Sequence, residues 1–114
     1  MRNTYWKLTH LADALTRTAE RQREAHLIFA AHEQRVSGSG GCNRITGGFD
    51  LDGDKLRLSR MAGTIMACLE GTEQERLFLQ SLVKVERYRI SGDQLELLDT
   101  SGAVVARFLA MALR

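Results

Sequence analysis

Two cysteines are the residues of this chain best suited to chemistry. Cys42 lies in the glycine-rich segment SGSGGCN, residues 37–43, and Cys68 ends a second small-residue segment, MAGTIMAC, residues 61–68. A nucleophilic cysteine needs a lowered pKa and a nearby base, and no cysteine-hydrolase motif surrounds either residue. The spacing of the pair is too long for a CxxC redox motif, and a zinc site needs more ligands. We therefore expect no catalytic residue and no zinc site.

Binding of Cu(I) is the more specific alternative role for these cysteines. Cys42 and Cys68, together with Met61 and Met66, supply the sulfur ligands that Cu(I) prefers. The opposing interpretation is that the methionines fill a core and the cysteines behave as small buried apolar residues. That interpretation is favoured, so we expect no cofactor.

The oxidation state of the two cysteines stays open at this stage. In an oxidising compartment, a bridge closing a loop of about 25 residues stabilises a fold by about 3–4 kcal/mol in the chain-entropy model. A chain of 114 residues buries a core without such a bridge. The balance leans slightly towards two buried free thiols that lie close together and can oxidise where the geometry permits.

The glycines before Cys42 predict a tightly packed backbone corner. Glycine is selected where the backbone needs a positive φ or must approach another element closely. The segment lacks the lysine and serine or threonine of a phosphate-binding loop, and no helix pattern follows it. We expect an architectural role for Gly40 and Gly41, with Asn43 hydrogen-bonded to the local backbone.

The flanking sequence predicts short strands and one helix. Asp52-Gly53 between two alternating runs predicts a hairpin, and Thr72-Glu73-Gln74-Glu75 is a capping box that opens a helix of about three turns. The fold class is therefore mainly β (α+β): a curled antiparallel sheet or a small lipocalin-like barrel, with one principal helix near residues 72–83. A short helix or irregular loop is expected within residues 9–25. Strands are predicted at residues 4–8, 26–31, 34–37, 85–90, 94–98 and 104–109.

The length and net charge of the chain limit the functions that it can have. The 114 residues predict a single domain, and a net charge of +2 without a basic run that interleaves with aromatics gives little support to a nucleic-acid partner, so we expect none. No apolar run reaches the roughly 18 residues of a membrane span. The first residues do not form a signal peptide, which leaves two origins open: a cytoplasmic protein, or a mature domain excised from a longer secreted chain.

The order of these motifs along the chain resembles that of the META domain family, also called HslJ-like domains. The resemblance spans residues 5 to 109, and the two cysteine segments carry it. It departs from the family at Ile65, where a basic residue is usual, at Leu69, where a proline is common, and over residues 9–24. The family's structural motif falls on Gly40, Gly41, Cys42, Asn43, Thr64, Met66, Ala67 and Cys68.

The resemblance implies a non-enzymatic, stress-associated domain of a bacterial envelope lipoprotein, in the periplasm or at the outer membrane. Relatives occur alone, in heat-shock-associated proteins, or fused to NlpE-type copper-resistance modules. The expected partner is a protein or another envelope component of unknown identity. The chain is expected to be a monomer and to meet a membrane only through a lipid anchor that is absent from this sequence.

Overall fold

The computed structural model describes residues 2–16, 24–63 and 72–111. Within these ranges, one helix and nine strands form. The helix is α1 (Thr72–Val83), and the strands are β1 (Tyr5–Leu11), β2 (Ala14–Leu15), β3 (His26–Phe29), β4 (Arg35–Ser39), β5 (Arg44–Asp52), β6 (Lys55–Gly63), β7 (Arg87–Ser91), β8 (Gln94–Leu98) and β9 (Val104–Met111).

The strands form one antiparallel sheet that curls on itself. Its order is β2-β1-β3-β4-β5-β6-β7-β8-β9, and β1 also pairs with β9 from Tyr5–Met111 to Leu11–Ala106. The first and last long strands therefore meet. This confirms the predicted fold class, a mainly β, curled antiparallel sheet with one principal helix.

The core fills the concave side of the curl. Alternation along β1 buries Trp6 and Leu8, as expected for a strand with one face on the core. From α1, Phe78 and Leu82 are fully buried in the same cluster, so the helix packs against the inner face of the sheet. The other large side chains that are fully buried include Phe29, Phe49 and Phe108.

Two local predictions are confirmed closely. The helix begins at Thr72, the predicted capping residue, and ends at Val83. The Asp52-Gly53 hairpin connects β5 and β6 through the closing pair Asp52–Lys55, with Gly53 at a φ of 62°. A positive φ at this position is the geometry that favours glycine in tight hairpin turns.

The prediction for residues 9–25 was wrong in its first part. β1 continues to Leu11, a turn with Ala12 at a φ of 53° follows, and the chain returns as β2. The apolar spacing of Leu8, Leu11 and Leu15 matched a helix, but pairing with β9 and β2 satisfies the backbone here. Residues 17–23 lie outside the described ranges.

Among the described residues, no helix is long and apolar enough to cross a membrane.

Candidate functional site

The glycine-rich segment forms a four-residue corner between β4 and β5. Gly40 and Gly41 are both buried, and Gly41 has a φ of 117°. A side chain is strained at that φ, so the position favours glycine. The predicted structural corner is present, although Gly38 and Ser39 belong to β4 and not to the corner.

A buried carboxylate from the helix holds this corner. The backbone amides of Cys42 and Asn43 donate to Oε2 of Glu75 at 2.9 and 2.7 Å, and Nδ2 of Asn43 donates to its Oε1 at 2.6 Å. Glu75 is 6% exposed. Three hydrogen bonds from uncharged donors thus satisfy a buried charge, which is otherwise costly to remove from water. We call residues 40–43 with Glu75 the clamped corner.

Every backbone N–H of residues 40–43 has an acceptor. Besides the two amides on Glu75, the Gly40 amide donates to the Asn43 carbonyl at 2.9 Å and the Gly41 amide to Oγ of Ser39 at 3.0 Å. Successive amides in a turn can form a concave anion site. In this corner the anion is the protein's own carboxylate.

The position of Glu75 in the first turn of α1 supports its charge. The positive end of the helix macrodipole lies there, and Glu73 adds a second acidic residue in the same turn. Gly40 faces the carboxylate directly, because a Cβ at Gly40 would lie 2.6 Å from Cγ of Glu75. The capping box located the helix start, but sequence reasoning missed that the Glu75 carboxylate reaches the corner 32 positions upstream.

Asn43 differs in part from its prediction. We expected local backbone hydrogen bonds, and its carbonyl does accept from Gly40. Its side-chain amide, however, donates to Glu75 on the helix. The residue therefore joins two elements instead of stabilising only its own turn.

Cys42 is half-buried and disulfide-bonded. The expectation of a free thiol was therefore wrong for this residue. The sequence contains one other cysteine, Cys68, which lies outside the described residues together with Thr64, Met66 and Ala67. The second half of the predicted motif stays a prediction.

No group of three or more histidine, cysteine, aspartate or glutamate side chains suited to a metal ion occurs in the described ranges. Met61, proposed as a copper ligand, is half-buried beside Gly47, where an added Cβ would lie 2.3 Å from its Sδ atom. Its side chain therefore fills the space that this glycine leaves.

Two clusters of titratable side chains occur away from the corner. The Tyr5 hydroxyl donates to Glu24 at 3.2 Å, its ring stacks on His26, and partial burial followed by the Glu24 charge raises the pKa of Tyr5 to about 12. On the outer face of the sheet, hydrogen bonds from Arg107 and Arg89 lower the pKa of Glu96. Both clusters join neighbouring strands.

The family model that describes the META domain matches residues 1–112. The chain belongs to the META domain family. META domains are typically found in bacterial envelope proteins. No curated protein matches the chain.

Solved structures share the fold of this META domain. A protein from Burkholderia xenovorans, determined by NMR, is 26% identical with a TM-score of 0.78, and the match covers 98% of this chain and 84% of that one. Another NMR structure is 19% identical with a TM-score of 0.72, covering 96% of this chain and 91% of the other. A DUF4847 family protein from Bacteroides vulgatus is 18% identical with a TM-score of 0.59, covering 79% and 61%.

Proposed function

We propose that this META domain is a non-enzymatic structural or interaction module of a stress-associated bacterial envelope lipoprotein. One observation carries the proposal: Glu75, the buried charged side chain of the described core, has both carboxylate oxygens bound by the corner. A carboxylate held by three donors is poorly placed to act as a general base or a metal ligand. The chemistry-bearing segment is therefore assigned an architectural role.

The disulfide at Cys42 supports the proposed compartment. Disulfides persist in the periplasm and are rare in the reducing cytosol, and Cys42 is disulfide-bonded. We place the native protein in the periplasm or at the outer membrane. Membrane contact would come only from a lipid anchor, and the domain would act as a monomer on a protein partner.

Copper or small-ligand binding is the alternative function. Cu(I) is bound by thiolate and thioether sulfur, and a disulfide-bonded Cys42 offers no thiolate. The copper alternative therefore requires that the disulfide is first reduced, which makes it the weaker candidate.

Copper retention discriminates between the two functions. The oxidised chain, and the chain after reduction, would be incubated with Cu(I), desalted and assayed for bound copper. We expect less than one equivalent in both states and no difference in Cys42→Ser or Met66→Leu. Retention of one equivalent by the reduced chain, lost in both variants while the circular dichroism spectrum is kept, would establish the alternative instead.

Cell fractionation tests the compartment separately. An antibody against the domain should find the native protein in the envelope fraction of its host. Recovery in the cytoplasmic fraction alone would refute the envelope assignment.

A further inference from the structure

A β-bulge in the β5–β6 ladder places Met61 next to a glycine. The register shifts between Thr46 and Gly48 of β5, and two residues of β6, Arg60 and Met61, lie opposite Gly47 alone. Arg60 takes up the extra residue with a φ of 54°. A bulge of this kind changes the direction in which the neighbouring side chains point. Here it brings the Met61 side chain onto Gly47.

The sulfur of Met61 occupies the space of the missing glycine side chain. A Cβ at Gly47 would lie 2.3 Å from Sδ of Met61, far inside van der Waals contact. Met61 is half-buried and packs against the buried core. No atom can therefore be bonded to this sulfur on the Gly47 side unless the methionine side chain moves away from the glycine.

Thioethers are the oxidisable sulfur atoms of the described ranges. Thiolates are the usual targets of hydroperoxides, but no cysteine within these ranges is free, and Cys42 is disulfide-bonded. Of the four methionines of the sequence, Met61 and Met111 lie in the described ranges. Met111 is 42% exposed at the end of β9, whereas Met61 is half-buried. The two methionines therefore provide an internal comparison.

We propose that Met61 is a reversible oxidation site, at which a hydroperoxide converts the thioether to a sulfoxide and loosens the β5–β6 ladder. The sulfur lone pair attacks one oxygen of hydrogen peroxide, the S–O bond forms and the O–O bond breaks. The sulfur loses two electrons, the peroxide gains them, and the second oxygen leaves as water after it takes up the proton of the first. In the reverse direction, a methionine sulfoxide reductase takes two electrons from a dithiol, which becomes a disulfide, and releases the oxygen as water.

Oxidation should act on the fold at Met61 and not at Met111. A sulfoxide is polar and chiral, and burying its oxygen without a hydrogen-bond donor is unfavourable. At Met61 the oxygen has no room beside Gly47, so the side chain must turn outwards and leave the glycine uncovered. At the exposed Met111 the oxygen can reach solvent. This inference goes beyond the proposed function, because it assigns a modification site to the module and holds in any compartment that hydroperoxides reach.

The sites of oxidation are the first test. The folded full chain would be treated with hydrogen peroxide, and tandem mass spectrometry would assign each added oxygen to Met61, Met66 or Met111. We expect Met111 to react before Met61, because Met61 is less exposed, and we expect both to react without urea. A Met61 that stays reduced after Met111 is fully oxidised, and that reacts only in urea, would overturn the inference.

Unfolding in urea is the second test. Oxidation of Met61 should raise the equilibrium constant for unfolding about ten- to hundredfold, the effect of leaving a buried polar group unpaired. Met61→Leu keeps the volume of the side chain and lacks the sulfur, so peroxide should leave its stability unchanged. Met111→Leu and Met66→Leu are the matched controls, and peroxide should destabilise them as much as the wild type. An equal loss in Met61→Leu, or no loss in a wild type oxidised at Met61, would overturn the inference.

Reversal of the oxidation is the third test. Treatment of the oxidised protein with methionine sulfoxide reductases for both sulfoxide epimers and a dithiol should remove the Met61 sulfoxide and restore the stability. Unoxidised protein given the same treatment is the control for reduction of the disulfide at Cys42. A loss of stability that persists after mass spectrometry shows a reduced Met61 would overturn the inference. Copper retention and cell fractionation do not depend on these results, so the proposed function and this inference fail separately.

Discussion

The clamped corner and the junction between β6 and β7 differ in how densely their backbones are hydrogen-bonded. At the corner, four successive amides are all satisfied, two of them by the buried Glu75. At the junction, a single registered pair, Lys55–Arg87, and two backbone hydrogen bonds join the strands. The corner contains the residues that look reactive in sequence, but its polar groups are already engaged. The junction contains ordinary residues, and because the pairing is antiparallel, β6 and β7 run away from this pair in opposite directions.

This contrast shows that residues that look reactive in the sequence are not necessarily free to react in the fold. A cysteine, an asparagine and a glutamate form a cluster that suggests chemistry, yet each is bound within the fold at Cys42, Asn43 and Glu75. In this META domain, the conspicuous motif therefore stabilises the fold.

Gly41→Val should cause the largest loss of stability. Gly41 is buried with a φ of 117°, so backbone strain and overpacking add to about 3–5 kcal/mol. Gly53→Val is the matched control, since Gly53 has a φ of 62° and no atom within 4 Å of an added Cβ; it should cost about 1–2 kcal/mol. Urea unfolding measures both, and equal costs would mean that the corner is not tightly packed.

Glu75→Gln should destabilise the domain by about 2–3 kcal/mol. The glutamine keeps the length of the side chain but turns an acceptor oxygen into a donor, leaving a buried amide of Cys42 or Asn43 unsatisfied. Glu73→Gln, one of the exposed pair with Arg76, is the control and should change little. Chemical denaturation of both variants would disprove the clamp if Glu75→Gln were as stable as the control.

Arg60→Gly should stabilise the domain by about 0.5–1 kcal/mol. Arg60 has a φ of 54° at the irregularity between β5 and β6, and a residue with a side chain is strained in that conformation. The gain is reduced because glycine is more flexible when unfolded. A rise in Tm is expected; a fall would show that the arginine side chain stabilises this part of β6.

Acidification should weaken the side-chain interactions that join β8 to its neighbours β7 and β9. Hydrogen bonds from Arg107 and Arg89 lower the pKa of Glu96 in the folded state. Its contribution is therefore fully present above the unfolded pKa of about 4.3 and is lost as the pH falls through the lower folded value.

Glu96→Gln checks this pH dependence. The variant should be less stable than the wild type at pH 7, and the difference should disappear at acidic pH. Salt of about 1 M should reduce the difference at pH 7 through screening. A difference that persists at all pH values would indicate lost packing and not a lost charge interaction.

Local signals made much of the fold predictable. The Asp52-Gly53 turn and the helix start at Thr72 each depend on a few neighbouring residues, and the structure places both as expected. The β1 extension to Leu11 was missed because its stability comes from pairing with β9, almost 100 positions away. Spacing of leucines cannot reveal such a long-range partner.

The candidate site was predictable in place but not in mechanism. Glycine spacing located the corner at residues 40–43, because a positive φ leaves a sequence signal. The partner of the corner, Glu75, appeared only as a helix-capping residue, since tertiary hydrogen bonds leave no local pattern. The short β6–β7 pairing, with one registered pair, has no local signal either, because strand pairing depends on distant parts of the chain.

Amide exchange at Cys42 and Asn43, compared between the wild type and Glu75→Gln, tests the clamp most directly. Both amides should exchange slowly in the wild type and about 10- to 100-fold faster in the variant, the range expected for hydrogen bonds to a charged group. The amide of Leu97 serves as the reference for global unfolding. Fast exchange of Cys42 and Asn43 in the wild type, or equal rates in the two proteins after correction by Leu97, would contradict an architectural role for the corner.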